Sequence, residues 1–141
     1  MNYVALKAEL SNDPTGLGYK TGGPGTYKDD PTMADIINLP RVGISVFRGR
    51  INTDELVACV DKTEYSALSA GDKQLFQILI SCGTIDTSSA TLRSMIAGIF
   101  AAGATRTAMI AAASRTGSRA EELFGIGVAL THEDMAKARA S

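Results

Sequence analysis

From Ser69 to Arg139 the apolar residues recur three and four positions apart, in short blocks separated by polar starts and glycine stops. Leu75, Phe76, Leu79 and Ile80 make one block. Leu92, Met95, Ile96, Ile99 and Phe100 make the most hydrophobic one of the chain. Ser69-Ala-Gly-Asp72, Ser118-Arg-Ala-Glu121 and Thr131-His-Glu-Asp134 share the hydroxyl-x-x-acid form, in which the hydroxyl accepts a first-turn N–H and the acid reaches back. Thr87 or Ser88, and Thr105, serve as further starts, and Asn52-Thr-Asp-Glu55 opens a helix through Leu56 and Val60. Gly83, Gly103, Gly117 and Gly125 stand where the periodicity stops. The pattern predicts an all-α fold, a single compact domain of five to eight short helices. Its expected core is Leu75, Phe76, Leu79, Leu92, Ile96, Ile99 and Phe100.

The N-terminal third is less regular. Val4, Leu6 and Leu10 mark a first helix to about Ser11, followed by a long Gly/Pro-rich loop that contains Gly22-Gly-Pro-Gly25. Tyr19 and Tyr27 are expected on the domain surface or against a partner. Thr32-Met-Ala-Asp35 is expected to cap a short helix that stops before Pro40. Arg41 to Ile51 is the one β-like segment: Val42, Ile44 and Val46 share a face under a period of two, and Ser45 and Phe47 share the other. No second strand of equal quality is legible, so this segment is either a loop over the helices or an edge strand awaiting another chain. Arg41, Val42, Ile44, Val46, Phe47, Arg48 and Arg50 form the candidate interface, with a solvated loop face as the plainer reading of the arginines. The expected organisation is one domain over 1–141, with an N-terminal helix and arm over 1–51 and a helical body over 52–141.

Composition narrows the function classes. Of the 141 residues 45% are hydrophobic, but only 6% are aromatic and none is tryptophan, so alanine supplies much of a thin core. A net charge of −1 gives no global attraction to nucleic acid or to an anionic membrane. No apolar run approaches the roughly 20 residues that span a bilayer, and Met1 to Lys7 has no secretory h-region, so synthesis in the cytoplasm is expected. Cys59 and Cys82 lack metal-ligand spacing and are expected as small buried hydrophobes. The single histidine, His132, is expected to be solvated in a first turn. The acid pairs Asp29-Asp30 and Glu121-Glu122 have no evident basic or nucleophilic partner. No enzyme, cofactor or metal is therefore expected.

Thr107 to Ile126 resembles a helix-turn-helix, with Gly117 in the turn and Arg119 directed to DNA. Glu121 and Glu122 would repel phosphate from that helix, and Gly125 and Gly127 shorten it. A small DNA-binding or regulatory protein is the alternative function.

Two longer stretches resemble small structural proteins encoded in the head, neck and tail modules of tailed bacteriophages. One is Thr105 to Val128 with Leu130 to Arg139; the other is Tyr3-Val-Ala-Leu-Lys-Ala-Glu-Leu-Ser-Asn-Asp-Pro-Thr-Gly-Leu-Gly-Tyr19. The glycine-rich segment from Thr21 to Arg50 departs from that pattern. The resemblance implies a virion component at the neck, tail or tail tip, made in the host cytoplasm. Its implied partners are copies of itself in a ring and other virion proteins, with neither membrane nor nucleic acid expected.

Overall fold

A computed structural model describes every residue of the chain except Pro24, so the middle of the Gly22–Gly25 turn lies outside the described residues. The fold is mixed, not all-α: 55% of the chain is helical and 15% is strand, in two small antiparallel sheets. The chain forms two compact units, and neither boundary falls at position 51. Unit 1 comprises 1–46 and 116–141, and unit 2 is the intervening 47–115.

Unit 1 holds α1 (Tyr3–Asn12) and α2 (Asp30–Asn38), most of β1 (Pro40–Phe47) and of β4 (Ser114–Ser118), then α8 (Arg119–Phe124) and α9 (His132–Ala140). Its core gathers Leu6 and Leu10 from α1, Met33 and Ile37 from α2, Met135 and Ala138 from α9, and Tyr19. Tyr19 is fully buried, contrary to the surface position expected of it. The loop that carries it is ordered by Asp13, whose carboxylate accepts the N–H groups of Leu17 at 2.6 Å and Gly18 at 2.7 Å. Helix α2 also starts earlier than expected, because Asp29 rather than Thr32 is its cap and accepts the Thr32 N–H at 2.8 Å.

Unit 2 runs through β2 (Arg50–Asn52), α3 (Thr53–Ala58), α4 (Lys62–Ala67), α5 (Ala70–Ile80), β3 (Thr84–Asp86), α6 (Ala90–Ile99) and α7 (Ala104–Ala113). β2 and β3 are antiparallel, with Ile51 opposite Ile85 and both buried. The aromatic centre is Phe76, edge-on to Phe100 at 5.3 Å and to Tyr65 at 6.1 Å between centroids. Leu56, Leu79, Ile99 and Met109 complete the buried set.

Helix α6, expected at the heart of the core, departs from that expectation. Only Ile99 within it is buried, while Leu92, Met95 and Ile96 are half-buried. Both cysteines also depart, with Cys59 half-buried and Cys82 exposed. The β-like segment does have a partner within the chain, since β1 pairs with β4. β4 reads Ser-Arg-Thr-Gly-Ser and has no apolar alternation, so nothing in its own sequence marks it as a strand.

Candidate functional site

The candidate interface residues divide between the two units. In unit 1, Ile44 and Val46 lie against Gly117 of β4. A Cβ there would stand 2.7 Å from Val46 Cγ1 and 3.2 Å from Ile44 Cγ2, closer than packed carbons come. Gly117 is therefore a contact glycine rather than a helix stop, and the turn expected between α7 and α8 is strand β4. Val42 shares the alternation of Ile44 and Val46 yet is 102% exposed. β4 has five residues and β1 eight. Beside Val42, Leu39 is also exposed, and the Arg41 guanidinium folds back so that Nη2 donates to the Ile36 carbonyl at 3.1 Å.

In unit 2, Phe47 lies beneath the guanidinium of Arg93, 4.1 Å from its ring centroid. Arg48 donates through Nη1 to Glu55 Oε2 at 2.5 Å and to the Ala112 carbonyl at 3.0 Å. That bond, first among its causes, holds the Glu55 carboxyl below its ordinary range. Arg50 is in register with Asp86 across the β2–β3 pair. Arg48 and Arg50 thus have local acidic neighbours, while the apolar end of the segment around Val42 is left uncovered.

The sequence gives no sign of a buried ionic network in unit 1. Glu9, 5% exposed, accepts two bonds from Arg119: Nε to Oε1 at 2.9 Å and Nη2 to Oε2 at 2.7 Å. Arg119 Nη1 reaches Glu122 Oε2 at 2.7 Å, and the Tyr19 hydroxyl donates to Glu9 Oε1 at 3.4 Å. Burial, then the negative charge of Glu9, pushes the Tyr19 phenol well above its ordinary value and keeps it a neutral donor. The Arg119 side chain is 13% exposed, and its guanidinium points into this cluster. Glu9 and Arg119 lie 110 positions apart, and no local signal pairs them.

A second device is a cap supplied from far along the chain. Helix α7 has no cap of its own: Gly103 precedes it at φ +118°, and Thr105 lies buried inside the first turn. The carboxylate of Glu64 from α4 fills the place, accepting the Ala104 N–H at 2.7 Å and the Thr105 N–H at 3.0 Å. A Cβ on residue 103 would overlap that carboxylate. The Thr105 hydroxyl accepts the Asp61 N–H at 2.9 Å, tying α7 to the start of α4 a second time.

Other expected positions are simply placed. His132 is exposed at the first residue of α9. Asp30 pairs with Arg139 at 2.8 Å. Among the described residues there is no group of three or more His, Cys, Asp or Glu side chains arranged to hold a metal ion. No helix among them is long and apolar enough to cross a membrane. Comparison of the chain with protein-family models, curated proteins and solved structures finds no match.

Proposed function

We propose that the protein is a structural subunit of a symmetric assembly, with β1 as a contact strand. By the resemblance of its two ends, the assembly is a tailed-phage particle at the neck, tail or tail tip. The observation that carries the reading is Val42, wholly exposed on a strand whose pairing partner is three residues shorter. Exposed β-branched residues on an open edge attract further strands, and folds that act alone blunt such edges with charge, proline or cover. Here Pro40 and Arg41 blunt only the entry of β1, and Val42 to Val46 carries no charged side chain. The buried core of unit 1 has Tyr19 as its one aromatic side chain and otherwise aliphatic residues, methionine and three alanines, a thin core that suits a subunit whose stability is completed by its neighbours.

Two measurements test it. Mass spectrometry of purified particles should find the chain at stoichiometric abundance, and its absence from particles that a lysate accompanies in quantity would overturn the virion assignment. Hydrogen exchange should show residues 40–46 gaining protection on assembly. Equal protection in isolated and assembled protein would move the contact away from β1.

A further inference from the structure

Unit 2 contains an apolar groove that its own side chains do not fill. The space is about 400 Å³, bounded by Leu56 and Ile85, by Leu92 and Ile96 of α6, and by Met109 and Ile110 of α7. A water occupies about 30 Å³ of the liquid, so there is room here for several methyl-bearing groups. This groove explains why the most hydrophobic helix of the chain is only half-buried: α6 turns Leu92 and Ile96 to it, and Ile110 is 52% exposed on the facing helix.

Two arginines line the same groove. Arg93 Nη1 donates to the carbonyls of Thr87 and Ser88 at 2.8 and 2.7 Å, and Arg106 donates to the Ala101 carbonyl. Neither forms a salt bridge to a carboxylate among the described residues. Asp86, the acid that also lines the groove, accepts the Ser88 N–H and hydroxyl at 2.9 and 2.5 Å and also feels the charges of Arg50 and Arg93, which leaves Arg106 as the cation without a carboxylate neighbour in the groove lining. The complement is an aliphatic segment with a carboxylate beside it.

We infer that the groove receives the Glu122–Ile126 segment of a second copy of this chain. This rests on the assembly reading above and names a second contact within it. Glu122-Leu-Phe-Gly-Ile126 carries the required chemistry in five residues. Leu123 and Ile126 are exposed at 37% and 44%, whereas Phe124 packs on the unit 1 core and anchors the segment. Glu122 is exposed and accepts Arg119 Nη1 through Oε2 at 2.7 Å. Charge is complementary at the larger scale as well. Unit 2 carries seven Lys/Arg against six Asp/Glu and unit 1 seven against nine, together the 14 and 15 of the chain. Groove and segment belong to different units, so each copy carries both halves of the contact, which closes either reciprocally as a two-fold dimer or head-to-tail as a ring.

The test uses the full chain in a Cys82→Ser background, which removes the exposed thiol. Ile110→Cys and Ile126→Cys, both at exposed positions, are made in separate proteins, mixed, and oxidised with diamide. The expected result is a disulfide-linked dimer in the mixture, with at most a trace in either protein alone. Arg106→Glu in the groove partner should reduce that product about tenfold, and Glu122→Arg in the other partner should restore it. Light scattering on the same samples separates the two readings. Oligomers that give no mixed crosslink would overturn this contact and leave the assembly reading standing. Equal crosslinking of Ile110→Cys alone would mean that groove meets groove, which also overturns it. A monomer at every concentration overturns it too, and particle composition then decides the assembly reading by itself.

Discussion

Arg119 is the residue whose role changes most between chain and fold. On α8 alone it is one cation among two glutamates, open to solvent or phosphate. In the folded unit it makes a two-pronged bond to Glu9 in a site where neither group is well hydrated. Removing one partner of such a pair leaves the other charge buried, a larger loss than the pair's own net contribution. Arg119→Ala should therefore lower unfolding stability by about 3 kcal/mol, read from the urea midpoint. Glu9→Gln, which keeps an acceptor for the guanidinium, should cost clearly less. Equal, small losses for the two would show that water reaches the pair. Gly103 is a second position where one atom decides: φ +118° is strained for any L side chain, and its Cβ would displace the Glu64 carboxylate. Gly103→Ala should cost about 1–3 kcal/mol and expose α7 amides to exchange first. If α7 keeps its protection in that variant, Glu64 is not what starts the helix.

Helix termini set the pH response at the scale of elements. Asp134 caps α9 from within its first turn; the Thr131 N–H, at 3.0 Å, is the leading cause of its lowered pKa, with the Tyr3 hydroxyl also contributing. Glu64 at α7 and Asp29 at α2 are lowered for the same kind of reason, led by bonds from Thr105 and Thr32 respectively. A carboxylate whose folded pKa lies below its unfolded value stabilises the fold fully above the unfolded value, and that contribution is lost as pH falls through the folded one. Stability should thus be flat between about pH 5 and 7 and decline below about pH 4, where free carboxylates titrate. Asp134→Asn should shallow that decline. A loss of stability that begins near pH 6 would show that a group other than these capping carboxylates controls the response.

Two separate buried clusters, one per unit, organise the whole molecule. Phe76 holds its cluster through two edge-on ring contacts, so Phe76→Ala should cost about 3–5 kcal/mol. The loss should fall unevenly: amides of 47–115 should exchange faster while α1, α2 and α9 keep their protection. A uniform rise in exchange along the chain would mean that the units unfold as one. Ile96→Asp, which a purely helical reading of the pattern would place at the centre of the core, should instead be tolerated far better than Ile99→Asp. Ile96 borders the groove, where an added charge has access to solvent, and Ile99 is buried.

What the amino-acid sequence determined by itself is whatever depends on neighbours a few positions away. The caps at Ser69, Ser118 and Thr131, the helices they open, and the alternation of Val42, Ile44 and Val46 all follow from local hydrogen bonding and from periods of 3.6 and 2. Tertiary structure alone decided what those elements meet. β4 is a strand because Gly117 lets Ile44 and Val46 approach, not because its own residues favour extension. The cap of α7 comes from 40 positions away, the partner of Arg119 from 110, and Tyr19 is buried by helices at both ends of the chain. The half-burial of α6 belongs with these. Periodicity records how apolar a face is, and only the arrangement of the surrounding helices decides whether that face is closed within the chain or left open to a neighbour.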